Sequence, residues 1–510
     1  MAVDAKHPSY DHHVDDWHQL RDTFKGEREV KRKGALYLPF TPGQLEDGAS
    51  ADRRTDGNRA YEAYKKRAVF PEIVGEAVEA MLGVMHNKPP SIELPPELEP
   101  LREKATLRNE SLEALLRRIN QEQLVMGRLG LLLEPPDGAV GLVPPRIALY
   151  QTEDLINWDA GTRQDPEVEK LNLVVIDESG PERQPEFQWK EVEKYRVLVL
   201  GDVDINEGDN EPALYRVGIV REKKQLDTDT LLEPSIAGNT LDEIPFVFVN
   251  TKDIAPEPDD GPLLGLSNLC LTIYRGEADY RQSLFNQGQD TFVRIGAVPE
   301  DGVETRLGAG AVIDLPIGGD AKFVGVDSAG LSEQREALEN DYTRANEKAG
   351  SLLEAVSRAA ESGEALRVRV SARTASLNQI ALTGAFALQE LLRIAARWVG
   401  ANPAAVIVTP NLDFVGETLA GKTLVELMTG KGLGAPLSLQ SIHAIMVAKG
   451  LTELTWEEEL EAMQAEIEEG LPGAGATGED DEGATDEGDP EDDDTTDPEE
   501  DPNDTEDDDA

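Results

Sequence analysis

The stretch from Ala355 to Phe414 constrains the fold of this chain most. Leu377, Ile380, Ala381, Ala385, Leu388, Leu391, Leu392, Ala395 and Trp398 recur at steps of three and four, the signature of one apolar helix face. A helix over Ser376 to Val399 would span roughly 36 Å at 1.5 Å per residue. Such a rod has to be flanked by other elements. Upstream, Leu338, Tyr342, Ala345, Ala349, Leu352 and Val356 form a second seam, with Ser332 as its expected N-cap. That seam suits either a helix-lined contact between copies or one face of a core helix.

The remainder divides by pattern. Residues 1–60 read as a polar N-terminal segment, with His7, His12, His13 and His18 near Asp11, Asp15 and Asp16. Those types can ligate metal, but no paired ligand spacing supports a site, and a polar segment is the plainer reading. Residues 61–165 read as a helical, wing-like region. Pro71 breaks a helix there, Ile73, Ala77, Met81 and Val84 make a stripe, and Ser111 caps a helix carrying Leu112, Leu115, Leu116 and Ile119. Residues 166–262 change to short apolar or alternating runs between charged turns, too close together for crossover helices, so a mostly antiparallel β region is expected. Residues 263–356 return to helix, with Leu266, Leu269, Ile273, Tyr280 and Leu284 on one face and the strand-like runs "AGAVIDLP" and "AKFVGV" between the helices. Residues 357–415 hold the long helix and strand-like "AAVIV" and "LDFV". Residues 416–470 hold short helices, the last capped by Thr455, and residues 471–510 form an acidic tail too poor in apolar groups to fold. The fold class is therefore α+β, mainly helical, with a β-rich region and a disordered tail.

Charge narrows the function. The net charge is −51, and from Gly450 onward there are 28 acids with no Lys or Arg, leaving −23 on the rest. Such a chain does not grip phosphate backbones by bulk charge, although it suits a passage that nucleic acid slides through. Cys270 is the only cysteine, so no intrachain disulfide forms, which fits assembly in a reducing cytoplasm. No run of about 18 apolar residues predicts a membrane span, and the N-terminus lacks the layout of a secretion signal.

One motif invites an enzymatic reading. Gly416 to Thr423, "GETLAGKT", fits G-x-x-x-x-G-K-[ST], in which Gly416 and Gly421 would free the backbone to cradle phosphates, Lys422 would reach them and Thr423 would ligate Mg²⁺. Against a P-loop NTPase or phosphotransferase, the pattern is short enough to arise by chance. It also lies near the end of the ordered chain rather than on an early strand of a βα domain, and no apolar strand ending in Asp follows it. The match reads as a decoy at a Gly-capped junction. No nucleophile elbow and no paired Cys or His metal motif appears elsewhere, so no catalytic residue, cofactor or metal is assigned. An acidic adaptor or scaffold that only binds proteins is a further reading.

Several segments together resemble one family. "RAVFPEIVGEAVEAMLGVMHNKPP" is similar to the N-terminal helix, ending in a basic-Pro turn, of a subgroup of tailed-bacteriophage portal proteins. "YQTEDLINWD", Tyr150 to Asp159, resembles its Y-x-x-E-x-I-x-N-W segment. "ESGEALRVR", with Glu361, Ser362, Gly363, Arg367 and Arg369, resembles its E-S-[AG]-x-A-x-R-x-R element. "LDF" followed by "LVELMTGKGLGAPLSLQSIHAIMVAKGL" resembles the closing pattern. The resemblance, to a subgroup whose N-terminal helix ends in a Lys-Pro-Pro turn, spans roughly Tyr61 to Gly470; the residues before the Lys in "MHNKPP", where relatives more often carry an aromatic and Arg, and the unusually long acidic tail depart from it, and the "GETLAGKT" match has no role in the family. It implies a non-enzymatic head–tail connector subunit of crown, wing, stem and clip parts, forming a ring, commonly dodecameric, at a unique capsid vertex of the virion after assembly in the host cytoplasm. It implies as partners further copies of itself, the major capsid protein, scaffolding protein, terminase and head–tail adaptor. Double-stranded DNA would pass through the channel without sequence-specific binding at packaging and ejection, and no membrane is involved. By analogy, the helices Leu266 to Phe285 and Ser332 to Val356 would be stem and the section between them clip. The Glu361–Arg369 element would join two long helices near the channel.

Overall fold

The computed structural model describes residues 3–50, 54–136, 143–161, 170–201, 213–221, 226, 231–287, 291–295, 320–324, 329–350, 363–412, 414, 428–431, 433, 436, 438–448, 452 and 454–468. The chain divides into two units, Met1–Val415 and Gly416–Ala510.

The first unit opens with helices. α1 (Pro8–Phe24) starts where His7 accepts a hydrogen bond from the Ser9 amide and Pro8 takes the first turn, where a missing N–H costs nothing. α1 buries Tyr10, Trp17 and Leu20, so the segment read as polar contributes a core helix. α2 (Glu27–Lys33), α3 (Pro42–Glu46), α4 (Asp56–Arg67) and α5 (Ile73–Met85) follow, and Pro71 falls in the break between the last two. α5 buries Ile73, Ala77 and Met81 of the expected stripe. After β1 (Ser91–Glu93), α6 (Leu112–Met126) begins at Ser111, whose Oγ accepts from the Ala114 amide at 3.2 Å. It ends at Gly127, which takes the left-handed φ of 78° that closes a helix without a Cβ penalty.

The β region is antiparallel throughout its described pairings, as the closely spaced runs require. β2 (Arg128–Glu134) is flanked by β3 (Arg146–Gln151) and β10 (Phe246–Asn250) in one sheet. β4 (Leu155–Gly161), β5 (Lys170–Asp177), β8 (Lys194–Leu200) and β9 (Tyr215–Arg221) form a second, in that order. Beyond its β5–β8 ladder, β6 (Gly180–Arg183) and β7 (Trp189–Val192) pair as a further ribbon. The run "IPFVFVN" leaves its sequence neighbours and joins β2, with Val249 opposite Leu129.

α7 (Leu264–Gln287), β11 (Thr291–Ile295), β12 (Asp320–Val324) and α8 (Ala329–Gly350) come next, then α9 (Gly363–Val399) and β13 (Ile407–Thr409). α8 starts at Ala329, so Ser332 sits in its first turn and is not its cap. α9 has 37 residues and runs for roughly 55 Å, well past the length expected from its apolar stripe alone. Every member of that stripe from Leu377 to Trp398 is buried. Gly384 marks its close crossing with α6: a Cβ there would stand 2.6 Å from the Asn120 and Gln123 side chains. Residues 403–405 form a 3-10 turn rather than a strand, and β13 pairs with β1 until Pro410, which has no N–H to donate. Phe414 is buried, and neither it nor Leu412 lies in a strand.

In the second unit, α10 (Leu439–Ala448) is capped by Ser438, whose Oγ accepts from the Ser441 amide at 3.0 Å. α11 (Trp456–Glu468) begins with a reciprocal cap: the Glu458 carboxylate accepts from the Thr455 amide at 2.8 Å while Thr455 Oγ1 accepts from the Glu458 amide at 3.4 Å. His443 and Trp456 meet edge to face at 5.4 Å. The fold is a mixture of helix and antiparallel sheet, an α+β class. Among the described residues no helix is long and apolar enough to cross a membrane.

Candidate functional site

Two assemblies stand out: a helical limb, and a clasp that fixes the body from which the limb departs. α7 and α8 are antiparallel, because Gly265 faces Lys348 and Gly276 faces Leu338. A Cβ at Gly276 would lie 2.9 Å from Leu338 Cδ2, so the small residue lets the helices close on one another. Leu338, Ala345 and Ala349 of the expected seam are buried, and Tyr342 donates to Glu277 at 3.3 Å. The seam thus packs within the chain; Leu352 and Val356 lie outside the described residues.

The first half of α7 is rooted in the body through buried Leu266, Cys270, Ile273 and Tyr274. Thr23 Oγ1 donates to Ser267 Oγ at 3.0 Å and Tyr64 to Asp279 at 2.5 Å, tying α1 and α4 to it. Burial pushes the Cys270 thiol up to about 12, which makes it an inert core residue. From Asp279 onward no residue of α7 is buried, and between Gly330 and Ala337 the facing α8 buries only Leu331. The β11–β12 ladder, with Val293 opposite Lys322, lies in the chain between the two helices. The result is a limb, an antiparallel helix pair rooted in an α+β body, with a two-stranded ladder between its helices in the chain.

The clasp gathers charges that the sequence hides. Arg21 of α1 makes a bidentate pair with Glu122 of α6 at 2.9 and 2.8 Å and a second with Glu153 at 2.8 and 3.0 Å. Arg21 and Glu122 are nearly inaccessible to water, so each buried charge has an opposite partner where an unpaired one would be costly. These hydrogen bonds raise the guanidinium pKa despite burial, which opposes them and is the largest single influence. Nearby, Arg128 at the start of β2 is sandwiched between the Trp158 and Phe248 rings, 4.1 and 4.2 Å from their centroids, and donates to the Pro256 carbonyl. Burial lowers its pKa to about 9. His7 stacks on Trp158 at 4.1 Å, extending the column to the N-terminus.

The segment Tyr150 to Asp159 supplies much of this. Tyr150 donates to Glu178 at 2.7 Å, Glu153 takes Arg21, and Trp158 takes Arg128. Beside it an open cavity of about 370 Å³ is lined by Leu107, Arg108, Arg118, Ile147, Leu149 and Asp154, among others. Burial, then Glu153 and Asp177, push the Asp154 carboxyl up to about 7, while Arg21 opposes them.

The residues singled out by motif fare differently. Gly416, Gly421, Lys422 and Thr423 lie outside the described residues, as do Glu361 and Ser362. Gly363, Arg367 and Arg369 lie in the first turns of α9, so that part of the element continues a helix. His7 caps α1, and His13 stacks on Trp17 at 5.6 Å and faces Asp260 at 3.6 Å. Among the described residues no group of three or more His, Cys, Asp or Glu is placed to hold a metal. Arg21, Glu122 and Arg128 were missed by sequence reading, because a buried charge has no periodic signature. Tyr10, Trp17 and Leu20 at helical spacing behind His7-Pro8 were the available sign that α1 enters the core.

A family model described as "Domain of unknown function (DUF4055)" matches residues 262–399, the stretch from α7 through α9. No curated protein matches the sequence. Among solved structures, the chain is similar to one from the "Virion of native gene transfer agent (GTA) particle", at 14% identity and a TM-score of 0.38, covering 80% of this chain and 98% of that one. A chain from the "Neck of empty GTA particle computed with C6 symmetry" aligns at 14% identity and 0.36, with 80% and 98% covered. A third, from the "Neck of native GTA particle computed with C12 symmetry", aligns at 13% and 0.35, with 73% and 89% covered.

Proposed function

We propose that the chain is a portal subunit of a tailed phage or phage-like particle. Copies of it, twelve in the commonest arrangement, close into a ring at one capsid vertex, and DNA passes through the central channel at packaging and ejection. The observation that carries this reading is the limb. An antiparallel α7/α8 pair, rooted in an α+β body and with the antiparallel β11–β12 ladder between its helices in the chain, fits the stem and clip that the sequence resemblance implies. α9 supplies the long neighbouring helix. The body's charge fits a passage without adhesion, since an acidic wall repels a phosphate backbone.

In this reading the chain performs no catalysis. The motor is a separate terminase that docks on the ring, and the capsid, scaffolding and head–tail adaptor proteins are the other neighbours. Mass photometry of the purified chain at micromolar concentration tests the reading. A population near twelve times the 55.6 kDa chain mass supports it, and a lone monomer or dimer peak contradicts it. A nucleotide-binding titration separates it from the P-loop alternative, which requires ATP binding that Lys422→Ala abolishes.

A further inference from the structure

The cavity of about 370 Å³ beside β3 is polar at both ends and apolar between them. Its floor is β3, the edge strand of its sheet, which spans roughly 13 Å from Ile147 to Gln151. The two ends carry opposite charge. At the Ile147 end the strand is tied to the loop at residues 105–110, because the Ile147 amide donates to the Ala105 carbonyl at 2.8 Å. That loop closes on itself. The Ala105 amide donates to the Glu110 carbonyl at 2.8 Å, and Asn109 takes a left-handed φ of 57°, which asparagine tolerates. The loop carries Arg108 at the cavity's edge, and its Glu110 meets Arg118 of α6 at 3.1 Å. Arg118 Nε is shielded from water and finds no acceptor, and Arg108 makes no ion pair among the described residues.

At the Gln151 end lies Asp154, which follows the strand in a 3-10 turn. Glu122, one turn along α6 from Arg118, belongs to the same end, because it shares Arg21 with Glu153. Arg21 already balances Glu122, while Asp154 makes no ion pair among the described residues. Burial, with Glu153 and Asp177 nearby, pushes the Asp154 carboxyl up to about 7, as befits a carboxylate short of a cation. One end of the cavity thus lacks an anion and the other a cation, with Ala148 and Leu149 between them.

We propose that this cavity binds a small dipolar molecule, with a carboxylate at one end, an ammonium or guanidinium at the other, and a short aliphatic chain joining them. The carboxylate meets Arg108 and the free Nε of Arg118, the chain lies along Ala148 and Leu149, and the cation meets Asp154. A ligand with a single charge satisfies one end only. This inference does not depend on the ring reading, and either can fail alone.

Isothermal titration of the full-length chain with 6-aminohexanoate, hexanoate and hexylamine tests it. At pH 8, 6-aminohexanoate is expected to bind at least about tenfold tighter than either single-ended analogue. Arg108→Met and Asp154→Asn are each expected to remove that advantage; Arg108 is exposed and unpaired, so its variant keeps the fold. The pH profile is a readout that a merely structural role would not move. The ligand's cation needs Asp154 ionised, among Glu153, Arg21 and Tyr10 of α1, Glu122 of α6 and Asp177 of β5. Affinity for 6-aminohexanoate should therefore fall about tenfold from pH 8 to pH 6, and affinity for hexanoate should not fall. Equal affinities for the three probes, no detectable binding of 6-aminohexanoate at millimolar concentration, a flat pH profile, or an advantage that survives both variants overturns the inference.

Discussion

The clasp and the limb use charge in opposite ways. In the clasp, Arg21, Glu122 and Glu153 are withdrawn from water and each guanidinium nitrogen is paired. In the limb, pairs such as Arg335–Glu339 at 3.2 Å and Arg344–Asp341 at 3.6 Å sit on helix surfaces. A buried network fixes one geometry, since removing a member strands its partners. Exposed pairs hold little and leave the helix face free to meet something else. The clasp thus locks the body through buried charge, while the outer parts of α7 and α8 carry theirs in water.

The largest expected effect follows from breaking the clasp. Arg21→Met leaves Glu122 and Glu153 buried without a cation and should cost roughly 3–5 kcal/mol, read as a lower denaturant midpoint for the body. On the limb side, Gly276→Val wedges α7 from α8 against Leu338 and should cost about 1–3 kcal/mol. Hydrogen exchange should show that loss in α7 and α8 and spare α1 and α6, which separates the two regions directly.

Asp154 sharpens the comparison from the body's side. Its carboxyl titrates near 7 in the folded chain against 3.8 when unperturbed, so between these values the folded state holds the extra proton. Its contribution to stability is therefore full below about 4 and is lost as pH rises through about 7. Asp154→Asn should flatten that dependence and stabilise the body at pH 8 by roughly 1–2 kcal/mol, discounted because the carboxyl lines an open cavity. The smallest effect belongs to the limb surface. Arg335→Ala should change stability by less than about 0.5 kcal/mol, and less still in high salt.

Helices with a stripe and a cap were legible in the sequence. The stripe from Leu377 to Trp398, the Ser111 cap and the Thr455 cap all follow from local spacing, and each is present. The antiparallel β region was legible for the same reason, although its pairings were not: β10 crosses to β2, a choice made by packing over more than a hundred residues. The start of α8 was misplaced because Ser332, a good cap by type, lies inside a helix that begins earlier. The clasp was hidden altogether, since Arg21 and Glu122 look like surface residues until the fold buries them. The segment Tyr150 to Asp159 was noticed only as a resemblance, and its physical content emerged once Glu153 and Trp158 met their arginines.

Negative-stain imaging of the purified chain distinguishes a ring of repeating bodies and limbs from separate subunits. Closed rings with a central channel are expected, and a field of single small particles with no ring would rule the portal reading out.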